Sequence, residues 1–114
     1  MKKIITVVKK VNTLKDIEVE FPVYAHFSDS EAHYTVDVYT RVTSDMQAVE
    51  ITKMRYRAGG DETTVKMEQC SKERLGNLVD TDCAYYEPIT AMQFHEVWSS
   101  VIHGFVSQLE VEKE

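Results

Sequence analysis

The residues best equipped for chemistry in this chain of 114 residues are four histidines, two cysteines and a few clusters of charge. His95-Glu96 sits in a helical stretch and invites comparison with the zinc-protease motif, in which a second histidine follows the first by four residues. That position is Ser99, and the next histidine is His103. Eight helical residues span about 12 Å, too far for two ligands that must each lie about 2 Å from one zinc ion. Cys70 and Cys83 precede these histidines in an order that suits a zinc site. Their spacings of twelve, eleven and seven intervening residues match no compact knuckle, whose ligands come in close pairs.

Asp80-Thr81-Asp82, with Glu87 nearby, offers carboxylates for a hard cation or for acid–base work. The glycine and the distal glutamate of a calcium loop are missing from it. Lys53, Arg55 and Arg57 alternate along one predicted strand, and Lys66 on the return strand is expected beside them. These four residues are the anion-binding candidates. There is no glycine-rich phosphate loop and no Gly-x-Ser-x-Gly elbow. The sequence therefore predicts no catalytic residues, no metal site and no cofactor, and a protein that is not an enzyme.

The bulk properties narrow the partners. Nineteen acidic against thirteen basic residues give a net charge of −6 and a pI near 5.2, which argues against a nucleic-acid partner. Apolar residues make up 43 % and charged residues 28 %, the balance of an ordinary folded domain. Two cysteines do not make a disulfide framework. The apolar run at residues 4–8 is shorter than an export signal needs, and no run approaches the length of a membrane helix. The expectation is a cytoplasmic protein with reduced thiols and no membrane partner.

The elements that must position these residues follow from hydrophobic periodicity. Residues 4–11 are β-rich. Ile17, Val19, Phe21, Val23, Ala25 and Phe27 alternate with polar residues as one strand, with Pro22 marking a sheet edge or a bend. Tyr34, Val36, Val38, Thr40 and Val42 form the next alternation, across a loop at residues 29–32. Pairing Phe27 with Tyr34 sets Val23 against Val38, Val19 against Val42 and Glu20 against Arg41. The third strand changes parity after Ile51, which predicts a bulge near Thr52 and Lys53. Gly59-Gly60 predicts a two-residue turn that pairs Tyr56 with Thr63 and Met54 with Val65.

A short helix or loop follows over residues 71–87. The last helix opens on a capping box, Thr90 with Gln93, stapled by Ile89 and Phe94. Phe94, Val97, Trp98, Val101, Ile102, Phe105 and Leu109 then form one stripe.

The predicted fold is α+β, a single domain over residues 1–114. An antiparallel meander sheet of four to five strands (about 3–69) carries one long C-terminal helix (about 91–109) across its apolar face. Tyr24, Tyr39, Arg41 and Arg55 are expected on the outward face as protein-interaction candidates, since exposed tyrosines suit interfaces. The function expected is a small acidic protein-interaction module: an adaptor, inhibitor or assembly subunit, of the kind that phages and other mobile elements also encode. A protein partner is expected, with homodimerisation through the sheet edge opposite Pro22 as one form of it. The alternatives are a small-molecule pocket between sheet and helix and, more weakly, a nucleic-acid binder using the basic strand face.

Overall fold

The computed structural model describes residues 1–10, 13–80 and 86–112, with side chains given for 1–7, 16–80 and 86–104. Cys83, Asp82, Tyr85 and the end of the acidic tail lie outside the described residues, as do the side chains of Phe105 and Leu109.

Strands β1 (Lys2–Lys10) and β2 (Thr13–Glu20) pair as a separate antiparallel hairpin. Strands β3 (Val23–Ser30), β4 (Tyr34–Val42), β5 (Gln47–Tyr56) and β6 (Asp61–Gln69) form an antiparallel meander. Helix α1 (Lys72–Val79) follows, and the two-residue strand β7 (Glu87–Pro88) then returns to the free side of β3. The five-stranded sheet runs β6-β5-β4-β3-β7, and helix α2 (Ala91–Glu112) ends the chain. The α+β class, the meander and the closing helix are those expected from the sequence.

The single strand expected over residues 17–27 is two strands. A cis Phe21–Pro22 peptide separates them, and β2 turns away to pair with β1, so Ile5 faces Ile17 and Lys3 faces Val19. Without residues 17–20 to serve, β4 pairs four residues further along β3 than expected. Val23 meets Val42, Phe27 meets Val38, and Arg41 lies across from Tyr24 rather than Glu20. A shift of four keeps parity, so the apolar faces still coincide.

The second hairpin departs by an odd number. Its connection is four residues long (57–60), with Gly59 and Gly60 at φ +109° and +95°. Ile51 therefore faces Val65, and Met54 faces Glu62. The register of β5 is continuous against both neighbours, so there is no bulge at Thr52–Lys53. Its parity change has another cause: Val49 and Ile51 are buried on the face that α2 covers, whereas Met54 and Tyr56 are half-buried on the other.

One sheet face carries Val23, Ala25, Val42 and Ala48, which pack with Val19, Phe21, Leu75 and Leu78 from the hairpin and α1. Ser71 caps α1 by accepting from the Arg74 amide at 3.1 Å. Gly76 lets Val7 approach: a Cβ there would stand 3.3 Å from a Val7 methyl. The other face carries Val49 and Ile51 against Phe94 and Val101 of α2, with Tyr24, Tyr39, Val65, Val97 and Trp98 around them. Complete burial of Phe94 is worth roughly 1.5–3 kcal/mol of transfer free energy. The capping box forms as expected, Gln93 N donating to Thr90 Oγ1 at 3.1 Å and Thr90 N to Gln93 Oε1 at 2.8 Å.

The helix thus covers the face opposite the one expected. Val36, Val38 and Met54 stay half-buried at the far end of the first face, where Phe27 packs on the ring of Tyr86 at 5.8 Å.

Candidate functional site

The two edges of the main sheet are treated differently. At the β3 edge, β7 pairs with Ala25 and His26, and Pro88 presents no amide there. His26 locks this closure. Its Nδ1 meets Glu87 Oε1 at 2.7 Å, its Nε2 meets Asp37 Oδ1 at 2.8 Å, and its ring stacks on Tyr39 at 4.7 Å. A carboxylate oxygen only accepts, so both contacts are satisfied together only when both ring nitrogens carry a proton. Burial of the ring works against that charge. The hydrogen bonds and charges of Glu87 and Asp37 outweigh it and hold the His26 pKa above the ordinary imidazole value. Tyr39 beneath is pushed up by its own burial and by the same two carboxylates.

The β6 edge has no described neighbour beyond it. Two backbone bonds at its ends define which atoms face outward. Tyr56 N donates to Gly60 O at 3.0 Å and Cys70 N donates to Met46 O at 2.7 Å. Both belong to the β5–β6 register and both fall on even positions of the second strand. Hydrogen-bonded pairs in an antiparallel ladder alternate, so the even residues 62, 64, 66 and 68 face β5. The N–H and C=O groups of Asp61, Thr63, Val65, Met67 and Gln69 point away from the sheet. The strand is nine residues long, carries no proline and keeps an unbroken register. Short length, proline, bulges and charged side chains are the usual devices that blunt an edge; β6 has no proline, no bulge and full length, and only its charges, Asp61, Glu62, Lys66 and Glu68, guard it.

Side chains around this edge are organised by Arg74. From α1 its guanidinium binds Glu68 at 2.6 Å and also Glu50. Lys66 is the direct cross-strand partner of Glu50 and is two residues from Glu68, and it makes no ion pair among the described residues. On the same face, Tyr56 Oη donates to Glu62 Oε2 at 2.8 Å, which fixes that carboxylate and pushes the phenol pKa up. Cys70, at the end of β6, is buried; its burial pushes the thiol pKa up against the opposing charge of Arg74.

The predicted site residues separate. Tyr24, Tyr39, Arg41 and Arg55 share one face, but α2 lies over the first three: Tyr24 is 5.5 Å from the Phe94 ring and Arg41 stacks on it at 5.6 Å. The outward placement expected for both tyrosines is therefore overturned by the position of α2. Arg55 stays open, its side chain 84 % exposed beside Asp61.

The four anion-binding candidates are not brought together. Lys53 and Arg55 share the α2 face, interleaved with Asp37 and Asp61 across the ladders. Arg57 lies in the turn, bound to Ser30 Oγ at 2.9 Å and to the Glu31 carbonyl. Lys66 lies on the opposite face, because the odd register shift of β6 reversed it. A cleft of about 320 Å³ at Lys53 and Arg55 is lined by Thr35, Asp37, Asp61 and Glu62 as well.

His95 and His103 are exposed on α2, and Asp80 is buried at the end of α1. Sequence reasoning missed the His26 clamp, whose partners lie 11 and 61 residues away, and the open β6 edge. The Gly59-Gly60 turn signalled a return strand but not its place in the sheet.

Comparison with protein-family models, with curated proteins and with solved structures finds no match in any of the three. No helix among the described residues is long and apolar enough to cross a membrane.

Proposed function

We propose that this chain is a non-enzymatic protein-interaction module that engages a partner strand along β6. The observation that carries the reading is the row of outward-facing backbone groups on a long, regular edge strand, opposite an edge that β7 covers at Ala25 and His26. Adding a strand satisfies those groups and gives affinity from main-chain bonds, with alternate side chains setting specificity. The half-buried Val36, Val38 and Met54 on the neighbouring strands support the same reading, since apolar surface near a sheet edge suits a partner. Arg55, exposed and paired at 3.8 Å with Asp61 of β6, is the interaction candidate from the sequence that lies nearest this edge.

The reading takes the protein as cytoplasmic with its thiols reduced, an adaptor, inhibitor or assembly subunit of a cell, phage or other mobile element. The mixed charge around Lys53 and Arg55 favours a protein over a nucleic acid, whose phosphates need an uninterrupted cationic surface.

Thr63→Pro is the discriminating variant. It removes one outward amide and leaves the bonds of residues 62 and 64 to β5 in place. Affinity capture from nuclease-treated lysate of the native cell should yield a stoichiometric partner with the unaltered chain and lose it with Thr63→Pro. Retention of the partner by a folded Thr63→Pro protein would overturn the reading.

A further inference from the structure

We infer that the strand completing β6 is β6 of a second copy, antiparallel across a two-fold axis at Thr64, so that Glu62 of each copy faces Lys66 of the other. The inference rests on the edge reading above and names its partner.

Ladder geometry restricts the choices. The outward groups belong to odd residues, so a symmetric antiparallel pairing must set odd residues against odd ones, and the axis passes through a residue. With the axis at Val65 the whole strand overlaps, but Glu62 faces Glu68 of the other copy twice. At Lys66 two ammonium groups meet directly. At Thr63 no charged pair forms. At Met67 Lys66 faces Glu68, which Arg74 already holds, and only residues 65–69 overlap.

At Thr64 the overlap covers 61–67 without a like-charge pair. Glu62 meets Lys66 twice, and Thr63 meets Val65 twice. These Glu62–Lys66 contacts fall at non-hydrogen-bonded positions, where opposing side chains stand closest.

The fold prepares both partners for this register. Arg74 occupies the two carboxylates nearest Lys66 and so leaves its ammonium group available. Tyr56 holds the Glu62 carboxylate by one oxygen and leaves the other open. Pairing would turn two five-stranded sheets into one of ten strands, with Val36, Val38 and Met54 of both copies on a common side.

The test is sedimentation equilibrium of the purified full chain from micromolar to near-millimolar concentration. It compares the unaltered protein with Lys66→Glu, Glu62→Lys and the double variant that exchanges the two charges. Each single change places like charges in both symmetric pairs and should weaken the dimer about tenfold or more, while the exchange should return it to within about threefold. Glu62→Lys keeps the test valid if Lys66→Glu, beside Glu50 and Glu68, disturbs the fold.

A dimer weakened by the single changes and restored by the exchange supports the inference. A dimer indifferent to them overturns it, as does a protein that is monomeric throughout. In the monomeric case, loss of the lysate partner by Thr63→Pro would still uphold the edge reading, so the two failures are distinguishable.

Discussion

Glu50 and Lys66 face each other directly across the β5–β6 ladder, yet the Glu50 carboxylate is bound by Arg74 of α1. The helix takes the anion that the strand would otherwise pair with its own cation. One arginine therefore both fastens α1 to the sheet and keeps a charge free at the open edge.

Replacing Arg74 by methionine should separate these two effects. Glu50 and Glu68 lose their shared cation in a partly buried setting, and stability should fall by about 1–3 kcal/mol. Lys66 then turns to Glu50, and self-association should weaken as well. Urea unfolding and sedimentation of the same variant check the two outcomes separately.

The clamp on His26 makes the closed edge sensitive to pH. In the unfolded chain His26 titrates near 6.5, roughly the free imidazole value, and in the folded chain it titrates higher. Its stabilisation is therefore complete below about pH 6.5 and is lost as pH rises through the folded value. An NMR titration should place the His26 midpoint above the free value, and Glu87→Gln should bring it down. A midpoint at or below the free value would contradict the clamp.

Helix α2 hangs on one side chain more than any other. Phe94 is fully buried and carries Tyr24 on one side and Arg41 on another. Phe94→Ala should cost about 3–5 kcal/mol and shift the emission of the single tryptophan, Trp98, to longer wavelength. Tyr39 and Arg41 lie under the same helix, so their replacement should lower the melting temperature rather than act on a partner alone.

Gly76 sits mid-helix because Val7 crosses it. Gly76→Ala gains about 1 kcal/mol of helix propensity and has only a side-chain methyl, 3.3 Å away, to displace, so it should be close to neutral. Gly76→Leu has no such room and should cost about 1–3 kcal/mol by overpacking. Thermal unfolding of the two variants distinguishes a close approach from a merely tolerated glycine.

How far the sequence reaches can be judged element by element. The capping box at Thr90 and Gln93, the stripe through Phe94 and Val101, and the alternation of β3 and β4 are local signals, and the structure keeps each. Register was less legible. Slipping β4 by four residues along β3 leaves every side chain on its face, so alternation cannot tell Val23–Val38 from Val23–Val42.

The hidden variable was the break at Pro22, which sends Ile17 and Val19 to β1. At Gly59-Gly60 a turn of four residues instead of two reversed Lys66, and with it the expected basic cluster. The His26 clamp and the Arg74 bridge depend on chain segments far apart in sequence, joined only by tertiary packing. The exposed edge is a property of sheet order, which no single strand reveals.

The most direct measurement is residue-resolved amide hydrogen exchange along β6, at low concentration and then with the partner strand bound, whether from another protein or from a second copy. In the free chain the amides of Thr64, Lys66 and Glu68 should be protected by β5, while those of Thr63, Val65 and Met67 exchange quickly. Occupation of the edge should slow Thr63, Val65 and Met67 selectively. If a complex forms and those three amides remain as fast as before, β6 is not the interacting edge and the account is contradicted.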